Sequence, residues 1–196
     1  MIEVEKSFSL TKEQENNLIK GAEFLGEKRL TDIYYDDLSY ALTTKDIWLR
    51  KRGRSFELKL PINKLNKERI SDQYEELDTD QDILEYFNAD SSKVLEDFLL
   101  SQNYAPFCTI ITTRKKYIKE GFNIDLDVTD FGYINAEIEL IVSGKLKIEE
   151  ATNNIIRFAK KNNIVSDIRI WGKVIEYIRR NNLKHFQALL DSKVIV

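Results

Sequence analysis

Apolar and polar residues alternate along the first segment of the chain, which predicts an extended strand over residues 2–8. Successive side chains of a strand point to opposite faces, so the apolar residues share one face while Glu3, Glu5 and Ser7 share the other. Two carboxylates side by side repel each other unless water or a cation surrounds them. This face therefore predicts either a solvated edge strand or part of a cation site.

Similar patterns predict helices and strands along the rest of the chain. A capping box at residues 11–14 starts a helix whose apolar positions continue through Ala22 and Leu25 to Gly26. Further strands are predicted over residues 31–36, 47–52, 55–60, 72–77, 107–118, 122–128 and 133–142. Further helices are predicted over about residues 79–87, 92–99, 148–162, 167–180 and 183–190. With only two prolines and no low-complexity linker, the chain is expected to form a single domain over residues 1–196.

Most of the predicted strands carry charged residues at alternate positions, with apolar residues between them. The charges group by strand into basic pairs, acidic pairs and one mixed pair. These pairs are Arg50 and Arg52, Arg114 and Lys116, Asp125 and Asp127, Glu137 and Glu139, and Glu57 with Lys59. An ordinary antiparallel sheet with one face in water shows the same alternation, and for any single strand that is the simpler interpretation.

Two features of the polar face favour a closed barrel over an open, solvated sheet. The face carries few of the Ser, Thr and Gln residues of a generic solvated sheet, and its charges segregate by strand. A closed barrel would bring these strands to face one another across a polar lumen, while helices cover the apolar outside. The prediction is an α+β fold: a closed antiparallel β-barrel with surrounding helices and a helical C-terminus.

The charge balance of such a lumen indicates what it would bind. Paired carboxylates supply hard oxygen ligands for Mg²⁺ or Mn²⁺, and arginine and lysine side chains donate hydrogen bonds to oxyanions. Together they suit a metal-bound polyphosphate. The chain has no glycine-rich phosphate loop, which argues against a P-loop mechanism.

Composition argues against several other classes of function. A formal net charge of -3 gives no overall field to recruit nucleic acid or an anionic membrane, so neither is expected as a partner. A single cysteine, Cys108, with no apolar leader and no segment of spanning length, predicts a cytoplasmic protein. The single histidine, His185, leaves almost no material for a zinc site or a histidine triad, and we expect it at the surface or in packing.

A set of short motifs, ordered along residues 2–180, resembles the CYTH, or triphosphate tunnel metalloenzyme, superfamily. The motifs are Glu3-Val4-Glu5, Tyr34-Tyr35-Asp36, Trp48-Leu49-Arg50-Lys51-Arg52, Glu57-Leu58-Lys59, Tyr74-Glu75-Glu76-Leu77, Arg114, Asp125-Leu126-Asp127, Asp130-Phe131-Gly132-Tyr133 and Glu137-Ile138-Glu139. Within the superfamily the chain is most similar to the thiamine triphosphatases. One acidic pair alone would be a weak signal, whereas the ordered set is specific.

The resemblance implies an eight-stranded antiparallel tunnel that binds a triphosphate end-on together with a divalent metal, Mg²⁺ or alternatively Mn²⁺. By position, it implies metal ligands or their near neighbours at Glu3, Glu5, Asp125, Glu137 and Glu139. It implies phosphate-binding residues at Arg50, Arg52, Lys59, Arg114 and Lys173. Glu3, Glu5, Arg50, Arg52 and Lys59 are the residues that it implies to be catalytic. Glu76 occupies a further acidic position of the family, with its role left open.

One position departs from the pattern of the family. The signature Glu-x-Glu-x-Lys would place a lysine where this chain has Ser7, and Lys6 falls on the opposite face of a regular strand. A serine hydroxyl can hydrogen-bond a phosphate but adds no positive charge. A bulge in the strand would turn Lys6 inward.

Aromatic residues indicate which triphosphate the tunnel would accept. Trp48 shares a strand face with Arg50, and Tyr34 matches a family aromatic position near the same end, so an indole could stack on a cationic heterocycle there. This favours thiamine triphosphate, with packing at the barrel end as the alternative role for Trp48. Inorganic tripolyphosphatase, a class IV adenylate cyclase-like enzyme and a non-catalytic triphosphate or polyphosphate-binding protein remain the alternative functions. The expected partner is a small-molecule triphosphate, bound to a monomer.

Overall fold

The computed structural model describes residues 1–62, 70–165 and 170–195. Its strands are β1 Ile2–Phe8, β2 Glu23–Asp36, β3 Trp48–Arg52, β4 Ser55–Pro61, β5 Asp72–Leu77, β6 Ala105–Lys119, β7 Phe122–Thr129 and β8 Ile134–Val142. Its α-helices are α1 Lys12–Ile19, α2 Asp80–Tyr86, α3 Leu95–Ser101, α4 Ile148–Lys161, α5 Lys173–Asn181 and α6 Leu183–Asp191. The strands form a closed antiparallel barrel in the order β1-β5-β4-β3-β2-β6-β7-β8. The predicted fold class is confirmed.

The N-terminal strand closes the barrel, because β1 pairs with β8 on one side and with β5 on the other. Its alternation is as predicted: Val4 points outward into a buried apolar cluster with Ile138, beneath Ile155 of α4. A second outer cluster lies where α2 and α3 cover β3 and β4, and a third lies where α5 and α6 cover the Trp48 end. Since the apolar faces are covered outside, the strand faces that carry Glu3 and Glu5, Arg50 and Arg52, and Glu137 and Glu139 point into the lumen.

The first helix is shorter than the sequence pattern predicts. The helix α1 ends at Ile19, and the chain passes through Gly21, at φ +74°, before β2 begins at Glu23. The prediction that it continues to Gly26 is wrong, because Leu25 belongs to a strand and its side chain is exposed. Gly26, at φ +129°, instead follows a register shift in the pairing of β2 with β6.

The paired strands β2 and β6 are both longer than predicted. The first half of β2 is largely exposed on both faces, so it carries no alternation that would identify a strand. Pairing along β6 from Glu23 to Asp36 holds it extended. By contrast, β3 and β4 lie close to their predicted bounds and are joined by a tight hairpin, in which Arg52 pairs with Ser55 around Gly53 at φ +62°.

The helix predicted over residues 167–180 is confirmed only in its second part. The helix α5 begins at Lys173, and residues 166–169 lie outside the described part of the chain. In the residues that the structure describes, no helix is long and apolar enough to cross a membrane.

The packing of α4 on the barrel gives a test of the fold. Ile155 is fully buried between α4 and the outer face of β1 and β8. We expect Ile155→Ala to lower the free energy of unfolding by about 2–5 kcal/mol, because it removes buried methyl groups and leaves a cavity. Urea unfolding followed by circular dichroism measures the change. Leu146→Ala, at a fully exposed position, is the control, and a similar loss in both variants would contradict the packing.

Candidate active site

The barrel encloses a cavity of about 390 Å³ whose wall is dominated by charged residues. Most of the residues singled out from the sequence line it: Glu3, Glu5, Tyr34, Trp48, Arg50, Arg52, Lys59, Arg114, Asp125, Glu137, Glu139 and Lys173. Ser7 is buried and is not part of the described lining. The structure thus brings the predicted charged and aromatic side chains from seven strands and from α5 to one place.

The register of the strands brings the acidic residues together. Glu5 on β1 lies opposite Glu139 on β8, and Asp125 on β7 lies opposite Glu137 on β8. Because directly opposed side chains of antiparallel strands lie about 5 Å apart at Cβ, these carboxylates share one face at short range.

Arg114 on β6 is the hub of one half of the cavity. Its guanidinium donates to Asp125 at 2.5 Å, to Asp127 at 2.6 and 2.7 Å, and to Glu137 at 2.7 Å. Lys173, from the first turn of α5, donates to the same Asp127 at 2.8 Å. Burial opposes the ionisation of Glu137, but Lys173 and Arg114 outweigh it and hold the pKa of that carboxyl well below its usual range.

Lys59 on β4 organises the carboxylates of the other half. Its ammonium forms ion pairs with Glu3 and with Glu76, the latter at 2.9 Å. Burial raises the pKa of Glu3 despite the charge of Lys59, and the neighbouring Glu76 raises it further. Burial raises the pKa of Glu5 well above its ordinary value, with the carboxylates around it adding to the effect of desolvation. This half of the lumen is therefore short of positive charge.

Glu139 and Asp125 also have too little positive charge around them. Burial and then the charge of Glu3 raise the pKa of Glu139 to about 7. Burial also raises the pKa of Asp125, although Arg114 opposes the shift. The buried Oδ1 of Asp125 has no hydrogen-bond partner among the described residues, and Lys116 Nζ lies 3.9 Å away.

The donor set suits a hard divalent cation, because buried carboxylate oxygens with too little positive charge nearby are the ligands that Mg²⁺ and Mn²⁺ prefer. In the present arrangement no three of the described His, Cys, Asp or Glu side chains converge on one point that could hold an ion. The carboxylates are turned instead toward their basic partners, Arg114, Lys59 and Lys173. Binding of a cation would therefore need these ion pairs to rearrange.

The arginines of β3 each have a dedicated carboxylate. Arg52 forms a bidentate pair with the fully buried Asp32 at 2.6 and 2.8 Å, and Arg50 donates through Nε to Glu57 at 2.8 Å. Burial opposes ionisation of Asp32, but the bonds from Arg52 outweigh it and lower the pKa of that carboxyl. The pairs hold both guanidinium planes in fixed orientations at the wall of the cavity.

One part of the cavity wall, the aromatic end, consists of aromatic and aliphatic side chains. Trp48, Tyr34 and Tyr74 line it together with Val174 and Ile175 of α5. All three aromatic side chains are nearly buried, so their edges are fixed by packing while part of each ring faces the cavity. The cavity therefore has a charged part and a flat apolar part.

The N-terminal strand is regular at the position where the family signature is broken. Its pairing with β8 is continuous, with Lys6 opposite Ile138 and Ser7 opposite Glu137. Lys6 Nζ donates to Ile70 O at 3.0 Å and lies on the outer face with Phe8. Lys6 is therefore directed away from the lumen, and no bulge turns it inward.

His185 has a packing role, and the alternative of a surface position is wrong. The ring is fully buried, stacks on Tyr40 at 4.0 Å between centroids, and lies 2.7 Å from Thr43 Oγ1 through Nε2. Burial lowers its pKa to about 4, so the ring is neutral at neutral pH.

Sequence reasoning missed several partners of the site residues. Asp32 and Asp127 hold Arg52 and Arg114, and Asp72 lines the cavity opposite Glu5 in the register of β1 with β5. Alternation alone could have found Asp32, which shares a face with Tyr34, and it had already placed Asp127 beside Asp125 without identifying Arg114 as its partner.

Comparison with known proteins identifies relatives of the whole chain. The CYTH domain matches residues 1–167. Thiamine-triphosphatase of Homo sapiens is 28% identical over 210 residues, covering 97% of this chain and 90% of that protein, and the Macaca fascicularis protein of the same name is 27% identical over 209 residues, with the same coverage.

Solved structures share the fold at low sequence identity. The PH1819 protein of Pyrococcus horikoshii superposes with a TM-score of 0.61 at 20% identity, covering 92% of this chain and 99% of that one. The Hippeastrum protein HpAC1, described as a putative adenylyl cyclase with dominant triphosphatase activity, gives a TM-score of 0.55 at 15% identity, covering 91% and 94%. At these identities the structures show a common fold alone.

The crowded carboxylates predict a pH-dependent stability. Because the pKa of Glu139 is raised to about 7 in the fold, the protein without metal loses stability as the pH rises through that value. We expect Glu139→Gln to raise the melting temperature at pH 8 by about 2–6 °C and to leave it nearly unchanged at pH 5, where the native carboxyl is already protonated. Calorimetry in the presence of a chelator measures this. Glu85→Gln, at an exposed position on α2, is the control, and an equal rise at both pH values would contradict the assignment.

Proposed function

Because the chain belongs to the CYTH domain family, we propose that it is a divalent-metal-dependent hydrolase of triphosphate compounds, with thiamine triphosphate as its preferred substrate. Membership of the family and the thiamine-triphosphatase relatives support hydrolysis of a triphosphate. The observation that carries the proposal is the barrel cavity, in which five cationic side chains meet five carboxylates that are partly or fully buried. The cations are Arg50, Arg52, Lys59, Arg114 and Lys173, and the carboxylates are Glu3, Glu5, Asp125, Glu137 and Glu139.

Exchange of ion pairs is the way we propose that this cavity accepts its substrate. In the structure the cations of the lumen are paired with carboxylates, as in the set formed by Arg114, Asp125 and Glu137. Phosphate oxygens would take over the guanidinium and ammonium donors, and the released carboxylates would hold the divalent cation. Since each buried charge keeps a partner throughout, the site avoids the cost of leaving one unpaired.

Each group then has a role in the reaction. The bound cation would neutralise phosphate charge and act as a Lewis acid toward water and phosphate oxygens. Arg50, Arg52 and Arg114 would donate to the non-bridging oxygens and stabilise the charge that develops on the transferring phosphoryl group. Lys59 and Lys173 would hold the remaining phosphates in line. The products are the diphosphate and inorganic phosphate.

The aromatic end of the cavity supports thiamine triphosphate over other triphosphates. Trp48, with Tyr34 and Tyr74 around it, presents ring surface beside the cationic wall, and a ring face attracts a cation such as thiazolium. Inorganic tripolyphosphate has no group for this surface and is the second candidate. The expected cytoplasmic location, monomeric state and single domain over residues 1–196 stay predictions.

A panel of compounds tests the proposal directly. We expect phosphate release from thiamine triphosphate with added Mg²⁺ or Mn²⁺, slower release from tripolyphosphate, and little from ATP. Treatment with a chelator should reduce turnover by at least about a hundredfold, because the cation supplies several kcal/mol of charge stabilisation. Re-addition of metal should restore it. Undiminished turnover in chelator would contradict metal dependence, and binding without turnover would favour a triphosphate sensor.

The serine at the family's lysine position gives a second test. Ser7 lies on the same strand face as Glu3 and Glu5, so Ser7→Lys would place a cation on the lumen side. A charge-assisted hydrogen bond is worth roughly 1.5–3 kcal/mol, so we expect kcat/KM for the triphosphate to rise by about ten- to a hundredfold. Steady-state kinetics measures the change.

Ser9→Lys, at an exposed position just after β1, is the matched control for added charge. A rise in kcat would indicate that the new lysine acts in the transition state, whereas a fall in KM alone would indicate ground-state anchoring. If Ser7→Lys leaves both parameters unchanged, Ser7 does not stand at a phosphate-binding position.

A further inference from the structure

Asp46 occupies the left-handed conformation, which residues other than glycine adopt only uncommonly. It ends a short 3₁₀ turn at residues 43–45, with φ 63° and ψ 25° in the left-handed region, and its N–H donates to Thr43 O at 3.0 Å. Glycine would adopt this conformation without strain. Because the side chain is buried, with only 1% of its surface exposed, the presence of aspartate indicates a use for the carboxylate.

The carboxylate of Asp46 joins two walls of the aromatic end of the cavity. Its Oδ1 accepts a hydrogen bond from Trp48 Nε1 at 2.9 Å and another from Tyr74 Oη at 2.8 Å. Trp48 belongs to β3 and Tyr74 to β5, and β4 lies between these strands. One oxygen atom therefore sets the positions of two rings that the sheet alone does not bring into contact.

Residues 37–47, the segment between β2 and β3 that carries Asp46, are themselves held in place. The carboxylate of Asp36, at the end of β2, accepts from the backbone N–H groups of Leu42 at 3.0 Å and Thr43 at 2.8 Å. His185 of α6 lies within hydrogen-bond distance of Thr43 Oγ1, at 2.7 Å. Asp46 is thus fixed from both β2 and α6, as a group that orients others needs to be.

The aromatic end adjoins the cationic wall. Lys59 Nζ lies 5.7 Å from the centre of the Tyr74 ring while it forms ion pairs with Glu3 and Glu76. A ligand with phosphates at Lys59 would therefore carry its organic group next to Tyr74 and Trp48.

We propose that Asp46 is a positioning residue that selects triphosphates esterified to a flat cationic ring. Its hydrogen bonds fix the planes of Trp48 and Tyr74, and its negative charge at the indole N–H makes the indole face richer in electrons. Both effects strengthen the attraction of the ring face for a cation. This inference rests on the proposed function, since it concerns the organic end of the same substrate.

The test compares two ligands and two variants of the whole protein. Affinity for thiamine triphosphate and for tripolyphosphate is measured by calorimetry with a chelator present, so that turnover consumes neither. We expect the wild-type protein to prefer thiamine triphosphate. Asp46→Ala, which loses both hydrogen bonds, should lose at least about tenfold of that preference, and Asp46→Asn, which keeps the acceptor but not the charge, about fivefold. Asparagine tolerates the left-handed conformation, so this variant keeps the test valid if Asp46→Ala unfolds.

Controls separate positioning from general damage. Asp37→Asn changes a carboxylate at the start of the segment that carries Asp46. The affinities of this variant for thiamine triphosphate and for tripolyphosphate should keep the wild-type ratio. In a Trp48→Phe background, which lacks the indole N–H, the effect of Asp46→Asn should largely disappear, because interacting residues are non-additive.

A failure of the role of Asp46 can be told apart from a failure of the proposed hydrolase function. A wild-type protein without preference for thiamine triphosphate, a preference unchanged within about twofold in every folded Asp46 variant, or additive losses in the double variant would each overturn the role of Asp46. Phosphate release is measured separately with Mg²⁺ added. A protein that shows the expected binding pattern but releases no phosphate would refute the hydrolase and leave the role of Asp46 supported.

Discussion

Arg114 holds three carboxylates from two neighbouring strands at 2.5 to 2.7 Å, inside a barrel whose outer face packs apolar clusters against helices. The rest of the lumen depends on this compensation of buried charge. A barrel that turns its charged faces inward can fold only if nearly every buried cation meets an anion, because an uncompensated buried charge costs about 3–5 kcal/mol. Lys59, Arg50, Arg52 and Lys173 follow the same rule with their own partners.

The compensation is uneven, and this asymmetry bears on the proposed chemistry. Lys173 and Arg114 both act on Glu137, and they lower the pKa of that carboxyl despite its burial. Around Glu5 and Glu139 the carboxylates dominate, and their pKa values are raised. A divalent cation would relieve the second region and phosphate oxygens would accept from the donors of the first, so the proposed metal-bound triphosphate would complement the cavity in charge.

The helices outside the barrel contribute to the site as well as to the core. The helix α5 supplies Lys173 to the lumen and Val174 and Ile175 to the aromatic end. The helix α6 supports the segment that carries Asp46, through the contact of His185 with Thr43. His185 thus acts as a neutral packing group. It contacts Thr43 in the turn that ends at Asp46, and Asp46 in turn bonds Trp48 and Tyr74, so the burial of His185 is explained without a catalytic role.

Local alternation in the sequence was sufficient to determine which residues face the lumen. Glu3 and Glu5, Arg50 and Arg52, and Glu137 and Glu139 all point inward because a strand repeats every two residues and its apolar face must be buried. The order of these motifs also identified the family. Alternation failed for the first half of β2, since a strand exposed on both faces has no pattern to read, and the apolar spacing there suggested a helix instead.

Only the tertiary structure decided which charges meet. The pairing of Arg52 with Asp32, the sharing of Asp127 by Arg114 and Lys173, and the bridge from Asp46 to Trp48 and Tyr74 join residues on different strands and helices. Strand order, register and barrel closure bring them together, and none of these is encoded in the spacing along one segment. The same holds for the pKa values, because desolvation depends on the closed lumen as a whole. The sequence by itself therefore determined the composition of the cavity, whereas the fold determined its charge pairing.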